Sequence, residues 1–209
     1  METSWRFSMD NRMPPSLYDF PALALLEFES IAAGYLAADA MAKRAPVARI
    51  VAGTVQPGRL LVLLSGGVAE VEEAVAAGRE VAGGSLLDEV LLPAVHPGVI
   101  AGLLGERCAI ADGLGIVESR AAASALHAAD AGLKGADVAL VELRLSDGLA
   151  GKGICFFTGT VSAVETAVDI ASAAVSPGQF LHAVVIPQLS PDIAATLHTS
   201  SLFSQNLQK

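Results

Sequence analysis

The chain repeats itself, and this internal duplication limits its fold more than any other feature of the sequence. The first copy contains Leu25-Leu26-Glu27, Asp39-Ala40, Lys43, Ala45 and Val47, and the second contains Ile116-Val117-Glu118, Asp130-Ala131, Lys134, Ala136 and Val138. The spacing between these matched positions is constant at 91 residues. Two copies of one fold within 209 residues leave each copy the size of a small domain.

The match continues through the second half of each copy. Apolar residues and a leading glycine recur 93 residues apart: Gly66, Val68, Val71, Val75, Gly78 and Ala82 correspond to Gly159, Val161, Val164, Val168, Ala171 and Val175. After the glycine, these positions step by three and four residues, which predicts a helix with one apolar face. Pro93 and Pro97 then recur 94 residues later as Pro187 and Pro191, so only short loop insertions separate the copies.

Each copy predicts the same order of elements. In the first copy we expect strands at residues 23–30, 47–54, 60–64 and 86–92, helices at 31–44 and 68–82, and a short helix after Pro97. The order β-α-β-β-α-β is that of a ferredoxin-like unit. The predicted fold class is therefore α+β, a tandem of duplicated ferredoxin-like domains with two helices on one face of each sheet. The other face is left to pack or to meet solvent.

The repeat also sets the expected domain boundaries. We assign residues 1–20 to an N-terminal tail, 21–107 to the first domain, 108–198 to the second and 199–209 to a C-terminal tail. The polar composition of the tails suggests either disorder or an arm on the outer face, and the sequence does not decide between them.

Composition predicts burial between subunits. The chain is 53% hydrophobic but only 5% aromatic, and its mean hydropathy is +0.54. A membrane helix needs about 20 consecutive apolar residues, whereas Pro177-Gly178, His182 and Pro187 interrupt the longest uncharged stretch, 170–191. We therefore expect no membrane span, and no secretion signal either, because a basic and then apolar N-terminal segment is missing. The net charge of −9 argues against a nucleic-acid partner.

The sequence offers no convergent catalytic or metal-binding set. The four histidines are scattered over both copies at His96, His127, His182 and His198. We expect His127 on a surface helix near Asp130, as a solvated or capping residue. Cys108 and Cys155 have no zinc-like spacing and are expected to be apolar fillers in a reducing cytoplasm.

Other features also argue against an enzyme. Glu27 and Glu118 occupy equivalent positions in the two copies, which suggests a shared structural bond rather than an acid–base pair. Gly113-Leu114-Gly115 lacks the third glycine of a dinucleotide loop and precedes a strand.

Two stretches, present in both copies, resemble the bacterial microcompartment shell domain. They are Ala38-Asp39-Ala40-Met41-Ala42-Lys43 with Ala129-Asp130-Ala131-Gly132-Leu133-Lys134, and Gly66-Gly67-Val68-Ala69-Glu70-Val71 with Gly159-Thr160-Val161-Ser162-Ala163-Val164. The resemblance covers about residues 21–198 and is to the unpermuted tandem-domain class, especially its propanediol-utilisation branch.

This resemblance implies a structural shell component in the bacterial cytoplasm. The expected assembly is a homotrimer that forms a pseudohexagonal disc and tiles edge to edge with other shell hexamers and pentamers. It implies a central pore for small-molecule permeants, lined by Val55, Gln56, Pro57, Gly58, Ser146, Asp147, Gly148, Leu149 and Ala150. It also implies that Lys43 and Lys134 lie on the tile edge.

The residues alone leave ordinary alternatives open. Gln56 and Asp147 would form rings of three amides and three carboxylates on a threefold axis and could select permeants, but they could equally belong to ordinary tight turns. Lys43 and Lys134 could be solvated lysines near helix ends.

Two departures from the family pattern affect the expectations. The resemblance implies a cysteine that holds an iron–sulfur cluster where this chain has Gln56, and an amide is a poor cluster ligand. We therefore predict no cofactor and no metal. The basic residue expected after the last strand of each copy is replaced by Ala94 and Gln188, so tile-edge contacts should be weaker or differently arranged.

Two further functions fit the predicted fold. A ferredoxin-like regulatory trimer that binds a small effector between subunits would share the fold and the oligomer, but it would remain a discrete particle. A trimer with a sealed pore would complete a shell without passing metabolites.

Overall fold

We describe the protein from a computed structural model, in which residues 16–199 and 201–202 are described. The first copy consists of β1 (Ala22–Phe28), α1 (Ile31–Arg44), β2 (Arg49–Val55), β3 (Arg59–Gly66), α2 (Val68–Ala82), β4 (Leu86–Leu92) and α3 (Pro97–Leu103). The second copy consists of β5 (Gly113–Ser119), α4 (Ala122–Gly135), β6 (Ala139–Leu145), β7 (Gly153–Gly159), α5 (Val161–Ala174), β8 (Phe180–Ile186) and α6 (Pro191–Thr199). Short 3-10 helices span Leu17–Asp19 and Gly83–Ser85.

Both copies form the same four-stranded antiparallel sheet. The strand orders are β2-β3-β1-β4 and β6-β7-β5-β8. This order confirms the predicted tandem of β-α-β-β-α-β units. We call two residues counterparts when the repeat places them at the same position in the two copies.

Local sequence explains where the helices begin and end. The Ser30 side chain accepts a hydrogen bond from the N–H of Ala33 at 3.3 Å and caps α1, and Thr160 caps α5 in the same way. Helix α2 ends at Gly83, whose φ of 55° suits a residue without a Cβ. Helix α4 has Ala121 at its N-cap and therefore receives no capping bond from its own side chain.

The inner face of the first sheet packs on α1 and α2. This core contains Ala24, Leu26, Phe28, Met41, Leu60, Val71 and Val75, together with further small apolar residues. Gly78 lies so close to Met41 that an added Cβ would come within 2.2 Å of its terminal methyl carbon. Small residues thus allow the two helices to approach each other.

The outer face of the first sheet packs on the second copy. Leu25 is 1% exposed and shares one core with Val90, α4 and the inner face of the second sheet. Burying one such leucine stabilises the fold by about 1.5–3 kcal/mol. The expectation that α4 is a surface helix is wrong, because ten of its residues are buried and His127 is half-buried. The helix packs on its own sheet and also on β1 and β4 of the first copy.

The outer face of the second sheet is only partly covered. Leu114, Val141 and Phe156 form a small core there, and Leu197 of α6 packs against it. Phe180 and Val184 on β8 remain exposed. Among the described residues, no helix is long and apolar enough to cross a membrane.

Candidate functional site

The turn between β2 and β3 is short and exposed. Gln56, Pro57 and Gly58 are all exposed, and the N–H of Gly58 donates to the carbonyl oxygen of Val55 at 2.9 Å. Gly58 has a φ of 107°, a value that residues with a Cβ rarely adopt. The Gln56 amide is therefore presented at the tip of the first copy.

The counterpart turn, between β6 and β7, is longer and more constrained. The N–H of Ser146 donates to the carbonyl of Lys152, and the N–H of Leu149 donates to the carbonyl of Ser146, each at 2.9 Å. Ser146 and Ala150 have φ values of 60° and 51°, which cost roughly 1–2 kcal/mol per residue. Asp147 and Ala150 are exposed, whereas Ser146 is fully buried.

The two turns touch each other within one chain. The Arg59 guanidinium Nη1 lies 3.4 Å from the carbonyl oxygen of Gly151. A Cβ at Gly151 would lie 2.8 Å from that Nη1 atom and 3.0 Å from Cδ of Pro57. Glycine at position 151 therefore allows the first turn to pack directly on the second.

A buried carboxylate holds this junction together. Oε1 of Glu27 pairs with Nη1 of Arg59 at 2.7 Å, and Oε2 accepts the N–H of Ala122 at 2.6 Å. Glu27 thus supplies the cap that α4 lacks, and it does so from the other copy. Burial raises the pKa of Glu27, although the hydrogen bonds from Arg59 and Ala122 oppose this change.

The counterpart pair is half open. Lys152 and Glu118 are the counterparts of Arg59 and Glu27, and their side chains lie 3.3 Å apart. Glu118 is 32% exposed and Lys152 is 49% exposed, whereas the Glu27 side chain is fully buried. The counterpart of Ala122 is Ile31, at the start of α1.

A second polar cluster joins the two copies near β4. Asp88 accepts hydrogen bonds from the hydroxyls of Ser124 at 2.5 Å and Ser176 at 2.9 Å. The counterparts of Asp88 and Ser124 are His182 and Ala33, which cannot reproduce these bonds. We call the whole contact between the two copies inside one chain the joint. The bonds to Asp88 are therefore a part of the joint that cannot recur between chains.

The N-terminus of α3 also binds α4 through a polar contact. The backbone N–H of His96 donates to Oδ1 of Asp130 at 2.8 Å, and Lys134 pairs with Oδ2 of the same carboxylate at 2.5 Å. Asp130 is buried, so Lys134 is held at the boundary between the copies. In the first copy, Lys43 pairs with Asp39 at 2.6 Å and is 74% exposed.

The C-terminal segment contacts the second turn. Arg144 donates to the hydroxyl of Ser201 at 2.8 Å and to the carbonyl oxygen of Asp147 at 3.1 Å. The Ser201 hydroxyl also donates to Glu142 at 3.0 Å, and Glu142 pairs with Arg107 at 2.6 Å. We call this set of contacts the C-terminal brace. Arg144 thus contacts both the turn, at Asp147, and the C-terminal segment, at Ser201.

The predicted site residues are placed unequally. Eight of the nine predicted pore residues have exposed or half-buried side chains on the two turns. The exception is Ser146, whose hydroxyl is buried without a hydrogen-bond partner among the described residues. Most of the two predicted tails, residues 1–15, 200 and 203–209, lies outside the described residues, although Leu17 is buried in the core shared by the copies.

Some residues of the junction were missed by the sequence analysis. Arg59 and Lys152 are basic residues at counterpart positions, and that repetition is a signal that could have identified them. The prediction that Glu27 and Glu118 make a shared structural bond is confirmed, because both pair with these basic residues. The brace around Arg144 has no such signal, since its counterpart is Gly53.

Comparison with known families matches the observed duplication. The BMC domain family matches residues 22–95 and again residues 113–189. The chain belongs to the BMC domain family. Each match spans one of the two four-stranded sheets.

Full-length relatives of this BMC protein agree with the assignment. It is 38% identical over 173 residues to the bacterial microcompartment shell protein PduT of Citrobacter freundii, covering 80% of this chain and 92% of PduT. It is also similar to the crystal structure of a microcompartment protein from Desulfitobacterium hafniense, with a TM-score of 0.72 and 37% identity over 84% of this chain and 99% of that one.

A more distant structure supports the fold alone. The fused permuted hexameric shell protein of the RMM microcompartment gives a TM-score of 0.56 at 18% identity, covering 79% of this chain and 92% of that protein. The two BMC domains and the shell-protein relative make this chain a structural component of a microcompartment shell in the bacterial cytoplasm rather than an enzyme. The comparisons give no support to the regulatory alternative.

The residues of this BMC protein do not fit an iron–sulfur cluster. Such clusters bind thiolates, and the first turn presents an amide at Gln56. The Cys155 thiol is fully buried in β7, and burial raises its pKa to about 12. No group of three or more His, Cys, Asp or Glu side chains could hold a metal ion among the residues that the structure describes.

Proposed function

We propose that three chains close into a disc in which the joint seen inside one chain is repeated between chains. The observation that carries this proposal is the half-open pair Glu118–Lys152, the counterpart of the closed pair Glu27–Arg59. In the trimer, Glu118 accepts the N–H of Ile31 from the neighbouring chain, as Glu27 accepts that of Ala122. Six copies in three chains then form six similar joints.

Exposed apolar side chains support the same contact. On α1, Tyr35 is 51% exposed, and its counterpart Leu126 is fully buried between the copies. On β8, Val184 is 39% exposed, and its counterpart Val90 is buried. Covering α1 of one chain with β8 of the next removes both apolar patches from water.

The trimer brings the two kinds of turn together around its axis. Each joint packs one turn on the next, as Gly151 packs on Arg59 and Pro57 within the chain. Gln56 and Asp147 would then alternate in a ring of three amides and three carboxylates. Polar side chains and backbone groups in such a constriction favour small polar permeants and disfavour anions.

The rim of the disc is proposed to contact other shell proteins. Lys43 and Lys134 lie at the last turns of α1 and α4, at the opposite end of each sheet from the turns. Their salt bridges with Asp39 and Asp130 hold both ammonium groups close to the helix surface. We propose that hexamers and pentamers of the shell meet the disc along these ends.

Solution mass and negative-stain microscopy test the assembly. We expect a mass of three chains, and extended sheets or tubes with a hexagonal repeat at low and moderate salt. A monomer at micromolar concentration would contradict the trimer, and discrete trimers under all conditions would contradict tiling.

Permeation tests the pore. Asp147→Lys should increase the entry of anionic solutes into closed shells assembled from this protein and its partners, because it reverses the charge of the ring. Gln56→Leu should reduce the entry of all polar solutes. If neither substitution changes entry, the turns form a sealed centre.

A further inference from the structure

The two copies carry different charged residues at the ends of their sheets that lie farthest from the turns. In each sheet, the turns lie at one end of the strands, and the register places Arg49 beside Ser65 and Leu23 beside Leu92 at the other end. We call residues 44–48, 66–67 and 93–95 with Pro21 the first rim. Their counterparts, residues 135–139, 159–160 and 187–189 with Asp112, form the second rim.

The first rim carries a basic side chain. Arg44, at the end of α1, lies 3.5 Å from Glu73 and 3.1 Å from Glu80 of its own chain. Its counterpart is Gly135. No acidic residue occurs in the first rim. Its Pro21 and Pro46 are the counterparts of Asp112 and Asp137 in the second rim.

The second rim carries acidic side chains beside a recess. Asp112 and Asp137 are exposed, and neither forms a salt bridge with any described residue. A recess of about 560 Å³ opens here, lined by Asp112, Val161, Pro187 and Gln188. Lys43 and Lys134 precede the two rims at counterpart positions and therefore do not distinguish them. The rims differ by Arg44, with Arg49 close behind it at the start of β2, against two carboxylates.

The geometry of a hexagonal sheet decides which rims can meet. A disc of three chains has first and second rims in alternation, so opposite edges are always of different kind. If all discs have the same orientation in the plane, every contact joins a first rim to a second rim. Contacts between like rims require neighbouring discs of opposite orientation, and three mutually adjacent discs cannot all be opposite to one another.

Charge acts in the same direction as geometry. A contact between two second rims brings together four carboxylates that form no salt bridge with any described residue. A contact between two first rims brings together two arginines, each already paired with Glu73 and Glu80 of its own chain. The contact between two second rims places like charges opposite each other, which opposes association. A contact between unlike rims places Arg44 near Asp112 and Asp137.

We propose that discs of this protein join only through unlike rims, the first rim of one disc against the second rim of the next. The sheet is then a head-to-tail lattice with all discs in one orientation. This inference rests on the proposed tiling function and names the partner surface for every edge that meets a second copy: the other rim of that copy.

Charge exchange between the rims tests the inference. Arg44→Glu and Asp137→Arg should each raise the protein concentration needed for sheet formation by roughly tenfold or more, because each creates a like-charge contact at every edge. The double variant Arg44→Glu/Asp137→Arg has the net charge of the natural chain and should restore sheet formation. If like rims met instead, the double variant would be at least as defective as either single variant.

Controls separate this inference from the tiling function. All variants must keep the mass of a trimer, because Arg44→Glu also removes the bonds to Glu73 and Glu80. Projection maps of natural sheets should show discs of a single orientation. Natural sheets with mixed orientations, or a double variant that stays trimeric but forms no sheets, would overturn the inference while leaving tiling intact. Absence of sheets from the natural chain would overturn the tiling function itself.

Discussion

At the scale of single residues, Glu27 connects three parts of the molecule with one carboxylate. It binds Arg59 beside the first turn and the first N–H of α4, and Arg59 in turn contacts the second turn at Gly151. Its counterpart Glu118 pairs with Lys152 instead, and no helix N–H donates to it in the part of the chain that the structure describes. Glu27 therefore acts in a contact inside the chain, and Glu118 is left for the contact between chains that we propose.

Alanine substitution at these two positions should separate the contacts. Glu27→Ala should lower the free energy of unfolding of the chain by roughly 2–4 kcal/mol, because it removes the buried carboxylate that pairs with Arg59 and leaves the N–H of Ala122 without its acceptor. Glu118→Ala should change that free energy by less than about 1 kcal/mol, but it should shift the trimer towards monomers. Denaturant unfolding and solution mass measure the two effects, and equal effects in both variants would contradict the proposed interchain joint.

At the scale of elements, the two first helices of the copies have different surroundings. Helix α4 is buried between the sheets, whereas α1 exposes Tyr35 and Leu36. Helices α2 and α5 lie away from this joint, and the exposed Val81 on α2 therefore provides a matched position.

An aspartate on α1 should break the trimer. Tyr35→Asp should yield monomers at micromolar concentration, because it would place an unpaired charge in the proposed contact with β8. Val81→Asp introduces the same charge on α2 and should leave the trimer intact. Sedimentation or light scattering distinguishes the two, and trimers in both variants would show that α1 lies outside the interface.

The C-terminal brace makes a second prediction at this scale. Arg144→Ala should let the turn at residues 146–151 open more often, because Asp147 and Ser201 lose their shared donor. We expect about tenfold faster amide hydrogen exchange in the peptide that contains Leu149 and Lys152. Arg44→Ala, a surface arginine far from the turn, should not change this exchange. Unchanged exchange in Arg144→Ala would show that the turn holds its shape alone.

Periodicity made the helices and strands predictable, but the sequence did not predict how the two copies pack on each other. The helix at 31–44 and the strand at 86–92 were predicted with the bounds that the structure shows, because apolar spacing, Pro46 and Gly83-Gly84 mark them. The burial of α4 was missed because its face towards the other copy is lined by alanines, which a periodicity argument cannot distinguish from a small-residue surface. The Arg144 brace joins residues 57 positions apart that share no pattern.

At the scale of the whole molecule, duplication without identity is the main property. Each copy keeps the same sheet and a salt bridge between a glutamate and a basic residue near its turn, so both copies can occupy equivalent places in a disc. The rims and the two turns have diverged. The proposed disc would therefore have six equivalent sheets but only three copies of each rim and each turn.

The difference between the two turns changes how the centre of such a disc can evolve. In a ring of six identical single-domain subunits, any substitution at the tip is copied six times and must be tolerated at every position at once. Here a change at Gln56 appears three times and leaves Asp147 and the left-handed residues around it untouched. One turn can therefore keep its sequence and its packing while residues of the other turn are substituted. A ring of six identical single-domain subunits cannot change its turns separately in this way.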